Sequence, residues 1–312
     1  MSEDTPRVGV VIPVFNVERW LDATLASLRR QTYPNWSAII VDDESTDGTV
    51  SVAERHAAVE SRIRVVTNPE RGPGARLSRI LGRSLHGNSV DYLYFPDGDD
   101  VLDPRLIAMF VERLEARPDA VAAYCRYLTI DESDTVLSTS THRRFALTPH
   151  WSRTLDDADP VTPFETLYAG AGTWEGLTMF KRTAYDTAGG LDESPAWTSH
   201  TVLDLLLRMT PLGEVIFVPE PLYHRRRRAG MVSENVARTS ANDRELRLRW
   251  RARGQDDPAL GAFVARSDLL LRHRKRPRGH LEQAWTHLRR GRLVLVPRLL
   301  VLAALKYRWR RL

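Results

Sequence analysis

A short apolar run, Tyr92-Leu93-Tyr94-Phe95, stops at Pro96, and Asp97, Asp99 and Asp100 follow around Gly98. A run of this length and composition suits a parallel strand buried on both faces. Open α/β sheets bind ligands outside the carboxyl ends of such strands, so the three carboxylates are expected at a binding rim. Carboxylates this crowded repel one another unless a cation joins them. Hard oxygen donors favour Mg²⁺ or Mn²⁺, typically together with a diphosphate. An Asp/Gly turn ahead of a helix, capped by Asp100 or Asp103, leaves the same trace, so the rest of the chain must decide.

The flanking sequence alternates in type. Val8 to Val14 is a β-branched strand, and Val17 to Gln31 reads as an amphipathic helix with Trp20, Leu21, Leu25 and Leu28 near helical spacing. Trp36 to Val41 is a second strand, running into Asp42-Asp43-Glu44-Ser45-Thr46-Asp47-Gly48-Thr49. A helix over Val50 to Ser61, a strand over Ile63 to Thr67, a helix over Leu77 to Leu85 and the strand Tyr92 to Phe95 follow. This alternation predicts βαβ units and a parallel sheet. No G-x-G-x-x-G follows the first strand, which argues against a dinucleotide-binding dehydrogenase. After Pro104 a helix is expected to about Arg117, then the strand Ala120 to Leu128. Residues 131 to 172 are polar and turn-rich and read as a lid or an insertion. Thr178 to Phe180 and Val215 to Val218 are expected as strands, and Val202 to Met209 as a helix.

With 312 residues the chain can form one large or two modest domains. Its single cysteine, Cys125, excludes an intramolecular disulfide and a cysteine-based zinc site. Met1 to Arg7 is polar, so no signal peptide is expected, and no apolar stretch is long enough to span a bilayer. The net charge of +5 is unevenly placed, in Arg225 to Arg228, in Arg272, Arg274, Lys275, Arg276 and Arg278, and in Arg308, Arg310 and Arg311. Phosphorylated ligands or an anionic membrane surface suit such clusters. No zinc-finger, RNP-like or heptad signature supports a nucleic-acid partner. Leu293 to Leu305, apolar except Pro297 and Arg298, suits either a core helix or an interfacial helix with snorkelling basic flanks.

Five segments in order carry a resemblance. They are Val10-Val11-Ile12-Pro13-Val14-Phe15-Asn16, Ile39 to Thr49 with its acidic turn, and Gly72-Pro73-Gly74-Ala75 with Ser78, Arg79 and Gly82. Tyr94 to Asp100 and Gly189-Gly190-Leu191-Asp192-Glu193 complete the set. Over residues 8 to 233 the chain resembles the family 2 glycosyltransferases of the GT-A type. The resemblance implies a Rossmann-like, mostly parallel sheet flanked by helices. Residues 1–115 would form the nucleotide-sugar half, 116–235 the acceptor half and 236–312 a basic helical extension. It further implies metal-dependent, inverting transfer of a sugar from a nucleotide-diphosphate sugar to a hydroxyl of a glycan, lipid carrier or natural product. The protein is then expected to be cytoplasmic, with its C-terminal helix able to lie on the inner face of the membrane.

Site residues follow from the same resemblance. Pro13 and Phe15 would line the nucleotide pocket, and Asp43 or Asp42 would accept a hydrogen bond from the base. An acceptor-only carboxylate suits a uracil-like imide N–H, which favours a UDP-sugar. Arg79 would approach the phosphates, as would Arg225 within its basic run. Asp99 would ligate Mn²⁺ or Mg²⁺ as the D-x-D metal ligand, Asp97 would contact the ribose or a metal-bound water, and His224 would complete the metal shell.

The chain also departs from the family pattern. No acidic pair precedes Leu203-Asp204-Leu205-Leu206-Leu207-Arg208, where the family keeps its general base; Ser199-His200-Thr201-Val202 stands there instead. His200, Glu175, Asp192, Glu193 and Asp204 are the candidate bases, unless the acceptor needs none. A nucleotide-sugar-binding protein without transferase activity is the alternative reading. A nucleotidyltransferase would need a Gly-rich basic loop after the first strand, which is absent. Glu44 replaces a usual Gly, and Ile80 a usual Asn.

Overall fold

In the computed structural model the described residues are 5–68, 89–139, 163–168, 175–192, 201–228 and 236–274. They fall into two units, one formed by 1–144 with 172–246 and the other by 145–171 with 247–312. No helix among the described residues is long and apolar enough to cross a membrane.

β1 (Val8–Val14) is almost wholly buried because both its faces are covered. Its even-numbered residues Val8, Val10, Ile12 and Val14 join Trp36, Ala38 and Ile40 of β2 (Trp36–Asp42) in one apolar cluster. The side-chain period of two in a strand sorts them to that face. α1 (Glu18–Arg29) closes over it with Leu21, Leu25 and Leu28 at 0% exposure. Burying each such side chain is worth about 1.5–3 kcal/mol. α2 (Thr49–Val59) adds Val52 and Ala53. β3 (Ile63–Thr67) follows, then β4 (Tyr92–Tyr94) and the two-residue β5 (Val101–Leu102). α3 (Leu106–Glu115) packs Phe110 edge-on against Tyr94, with ring centres 6.2 Å apart. The chain continues through β6 (Ala120–Ile130), β7 (Val136–Thr139), a 3-10 turn at Glu175–Leu177, β8 (Thr178–Lys181) and the short Arg182–Thr187 helix. The Thr201–Met209 helix and the long β9 (Glu214–Arg226) complete the sheet-bearing part of this unit.

The strand order is β3-β2-β1-β4-β8-β6-β9-β5, with β7 paired to β6. β3, β2, β1 and β4 run parallel, β8 runs antiparallel to β4 and β6, and β6 pairs parallel with β9. The chain winds outward from β1 through β2 to β3, then returns to β1's other side with β4. That reversal makes the carboxyl ends of β1 and β4 a topological switch point, and open α/β sheets bind ligands in the crevice outside such ends.

The second unit contains the Pro163–Tyr168 helix, the later part of the Val236–Asp256 helix and the Pro258–Arg274 helix. Phe164 is its hub, 5.2 Å from Trp250, 5.9 Å from Tyr168 and 6.2 Å from Phe263 between ring centres. Arg251 pairs with Asp268 at 2.7 Å.

Strands and helices expected from periodicity lie where β1, β2, β3, β4, α1, α2 and α3 are found, with ends shifted by a residue or two. β5 and β7 were not expected from the sequence. β9 runs unbroken from Glu214 to Arg226, joining the strand expected at Val215 to Val218 with the segment Pro221 to Arg225, which resembles the family's closing strand and loop. The helix expected at Leu77 to Leu85 and the apolar stretch Leu293 to Leu305 lie outside the described residues, as does most of 131–172 beyond β7 and the Pro163–Tyr168 helix.

Candidate functional site

The rim of the crevice is built from two interlocked loops. After β1, Asn16 N–H donates to Ser45 Oγ at 3.0 Å, and Asn16 Oδ1 accepts from Thr46 N–H at 2.8 Å. Glu18 and Asp47 exchange similar bonds, Gly48 N–H to Glu18 at 2.8 Å and Glu18 N–H to Asp47 at 3.2 Å. Asp43 N–H donates to Val14 O at 2.9 Å, which ties the ends of β1 and β2 together. The turn after Asp43 takes a left-handed residue, and Glu44 fills it at φ 62°. This explains why the family pattern has Gly there: without Cβ that conformation carries no strain. The acidic turn survives the substitution at a cost of about 1–2 kcal/mol.

Asp42 and Asp43 are not equivalent. Asp42, 2% exposed, turns inward and accepts from Ser45 N–H at 3.1 Å. Asp43, 9% exposed, accepts from Asn68 Nδ2 at 2.9 Å at the end of β3. Phe15 stands 51% exposed at the tip of β1, with Pro13 partly covered below it.

The Asp97–Asp100 turn is clamped from three sides. From α1, Thr24 Oγ1 reaches Gly98 O at 3.1 Å and Asp100 O at 2.7 Å, and Ser27 Oγ accepts from Leu102 N–H at 3.0 Å. Gly98 sits against β1, where an added Cβ would fall 2.7 Å from Val14 Cγ1. From β9, Tyr223 Oη donates to Asp100 Oδ2 at 2.6 Å and accepts from Asp97 N–H at 3.3 Å. Arg226, only 1% exposed, gives its N–H to Asp100 Oδ1 at 2.6 Å and its Nε to Asp99 O at 2.8 Å. Burial, followed by the neighbouring Asp99, pushes Asp100 up to about 7, against the pull of Tyr223 and Arg226. Burial beside Asp100 and Asp97 also pushes Tyr223 well above its ordinary range, so its hydroxyl keeps its proton.

The two remaining carboxylates are the candidate metal donors. Asp99 Oδ2 lies 2.6 Å from Arg228 Nε. Among the described residues no three His, Cys, Asp or Glu side chains converge on one point. Mg²⁺-type sites seldom need such a cage, because one or two carboxylates with substrate phosphates and water suffice. The hard oxygens of Asp97 and Asp99 fit that description. His224 is not gathered with them in any three-residue cluster of the described side chains. Burial lowers its imidazole, while Asp103 and Asp134 pull it upward. Arg225 sits near Tyr127 and contributes favourable charge to Asp100.

Of the candidate bases, Asp204 is enclosed at 0% exposure and bonded to Arg208 at 2.9 Å. Arg208 in turn holds the carbonyl oxygens of Ala188 and Gly190, so this pair braces the Gly189-Gly190 turn, whose residues sit at φ 80° and 67°. Asp192 lies just beyond that turn. Glu175 starts the 3-10 turn, and the next residue, Gly176, packs directly against the Tyr223 hydroxyl. Gly176 O also accepts from Tyr94 Oη at 2.7 Å, so the backbone at Glu175 adjoins the acidic turn. His200, Glu193 and Arg79 lie outside the described residues, as do Gly72 to Gly82.

The run Arg225 to Arg228 was expected to fold over the diphosphate; that Tyr223 and Arg226 hold the acidic turn and Arg228 pairs with Asp99 was not read from the motifs. A residue's place on β9 is set by its parallel pairing with β6, where Tyr127 faces Tyr223 and Leu128 faces His224 with register shifts on the way, and by a short pairing with β5, where Leu102 faces Tyr223. A two-residue strand leaves no periodic signal.

Comparison with known proteins agrees with the fold. TarS 1–349 of S. aureus, in a complex with UDP-GlcNAc, superposes with a TM-score of 0.58 at 14% identity, covering 78% of this chain and 66% of that one. The mannosyltransferase PcManGT of Pyrobaculum calidifontis, in a complex with GDP-Man and Mn²⁺, has a TM-score of 0.56 at 18% identity, covering 99% and 89%. EpsE of Bacillus subtilis (strain 168), which bears a provisional glycosyltransferase name, is 38% identical over 111 residues. That alignment takes in 35% of this chain and 39% of EpsE, so the chain matches well under half of that relative's length. The family model described as glycosyl transferase family 2 matches residues 9–187, more than half of the sequence, and the chain belongs to that family.

Proposed function

We propose that this protein transfers a sugar, with inversion, from a nucleotide-diphosphate sugar to a hydroxyl acceptor, with Mn²⁺ or Mg²⁺ at Asp97 and Asp99. The observation that carries the reading is the acidic turn, held from α1 and β9 at the switch point between β1 and β4. Asp43 is the residue for the base, since Asp42 is spent on the Ser45 turn. Its carboxylate accepts from an imide N–H, which uracil and guanine both present, and Phe15 offers the base an exposed ring. UDP-sugars remain the favoured donors. The neighbours solved with UDP-GlcNAc and with GDP-Man and Mn²⁺ support a nucleotide-sugar donor with a divalent cation.

A divalent cation bound there would offset the negative charge that grows on the departing diphosphate. The acceptor oxygen attacks the anomeric carbon as the bond to the diphosphate oxygen breaks, and the acceptor proton passes to a base. Asp204 is committed to Arg208, which leaves Glu175, Asp192, Glu193 and His200, and we favour Glu175 because its neighbour Gly176 packs against Tyr223. Acceptors on glycans, lipid carriers or natural products are compatible with this chemistry. The basic tail supports a membrane-borne acceptor reached from the cytoplasmic side.

The test pairs two variants. Asp99→Ala should abolish Mn²⁺-dependent nucleotide binding and turnover together. Glu175→Gln should keep donor binding and lower kcat by about 10²- to 10⁴-fold. Wild-type turnover in Asp99→Ala would end the metal assignment. Wild-type kcat in Glu175→Gln would pass the base role to Asp192, Glu193 or His200. Tight donor binding by the wild type without transfer or donor hydrolysis would favour a binding protein instead.

A further inference from the structure

Asp99 is already paired with a cation of the protein. Arg228 Nε lies 2.6 Å from Asp99 Oδ2, with the two side chains 23% and 16% exposed. The main chain delivers Arg228 to this position. Two residues earlier, Arg226 binds Asp99 O and Asp100 Oδ1, and its guanidinium also reaches Asp131 O at 2.9 Å and Asp134 Oδ1 at 2.6 Å. Arg228 then lies over Trp20 of α1, its guanidinium 4.7 Å from the ring centre. Each member of the pair is a group the donor site needs for another partner: the carboxylate for a cation, the guanidinium for a diphosphate.

We propose that Arg228 and Asp99 form an exchangeable latch, opened when a divalent cation and a nucleoside diphosphate arrive together, Asp99 turning to the cation and Arg228 to the diphosphate. The proposal rests on the donor-site reading above and adds to it how the site is kept closed to either ligand alone. A cation by itself must displace a guanidinium and leave that positive charge beside it. A diphosphate by itself takes Arg228 and leaves Asp99 uncompensated next to Asp100. Only the pair of ligands leaves every charge matched. The two ligands therefore strengthen each other's binding, by the same factor in both directions.

The experiment uses the full chain and binding readouts. Mn²⁺ is titrated by the electron paramagnetic resonance signal of the free ion, and UDP and GDP by calorimetry. Each is measured alone and with the other saturating, with complexation in solution subtracted. In Arg228→Gln, Mn²⁺ alone should bind at least about 5-fold more tightly than in wild type, and the mutual enhancement should shrink by about 10-fold. In Asp99→Asn, nucleotide alone should bind about 5-fold more tightly and Mn²⁺ more weakly. The second variant keeps the test decisive if the first fails to fold. Wild type that binds both ligands, with Mn²⁺ affinity unchanged in Arg228→Gln or nucleotide affinity unchanged in Asp99→Asn, overturns the latch and leaves the donor site standing. Wild type that binds neither ligand overturns both.

Discussion

At the scale of single residues, the three carboxylates of the acidic turn differ. Asp97 and Asp99, the proposed metal donors, are part-exposed, while Asp100 is a structural carboxylate, 3% exposed and held by Tyr223 and Arg226. Its acidity in the fold, pushed up to about 7, differs from about 3.9 in an unfolded chain. The folded state therefore holds a proton that the unfolded state has released between those values. Asp100's contribution to stability is present below about pH 4 and is lost as pH rises through about 7. Asp100→Asn should flatten the stability profile across that window, read by denaturant unfolding at several pH values. A profile as steep as that of wild type would show that Asp100 is not the titrating group. The sequence displayed three carboxylates in a row and could not separate these roles. Burial decides between them, and burial of Asp100 depends on a tyrosine 123 positions away. Glu44 was legible as a departure from the family pattern, and its left-handed backbone supplies the physical reason the position normally carries Gly.

At the scale of elements, α1 and β9 do more than cover the sheet. α1 presents Leu21, Leu25 and Leu28 to the core, as their spacing indicated, but its buried face also carries Thr24, Ser27 and Gln31. These three reach the chain between Gly98 and Ile107, Gln31 through Asp103 O at 2.7 Å and Ile107 N–H at 3.0 Å. A helix stripe read only for apolar periodicity treats them as noise. Thr24→Val preserves the shape and removes the hydroxyl, leaving Asp100 O without that donor. Stability should fall by about 1–3 kcal/mol and Mn²⁺-dependent nucleotide affinity should fall with it. An unchanged midpoint of unfolding would contradict the clamp. The parallel strands were legible because each is an apolar β-branched run flanked by turn residues. β5 was not, because two residues cannot show a period, and the register of β9 was hidden because its pairing with β6 shifts between Cys125 and Tyr127.

At the scale of the whole molecule, the order of motifs along the chain pointed to the mostly parallel sheet that is found. The β3-β2-β1-β4 order fixes a switch point, and both acidic turns lie at the carboxyl ends that meet there. The general base was not legible, since the family's acidic pair is replaced by Ser199-His200-Thr201-Val202 and the rival candidates come from separate turns. The basic tail makes its own prediction. Removing residues 280–312 should release the protein from phosphatidylserine-containing vesicles in a sedimentation assay, with binding also weakened by salt. Equal sedimentation of the truncated and full-length chains would refute a membrane role for the tail.

The central claim is that the rim holds a nucleotide-diphosphate sugar together with a divalent cation. A thermal-shift panel of UDP-, dTDP-, GDP- and CDP-sugars, each with and without Mn²⁺, tests it most directly. A ligand at 100 times its dissociation constant adds about 2.7 kcal/mol of stability. The account predicts a rise in Tm for one nucleotide class, UDP first, that appears only with Mn²⁺ and disappears in Asp99→Ala. No shift with any donor, or the same shift without the metal and in Asp99→Ala, would contradict it.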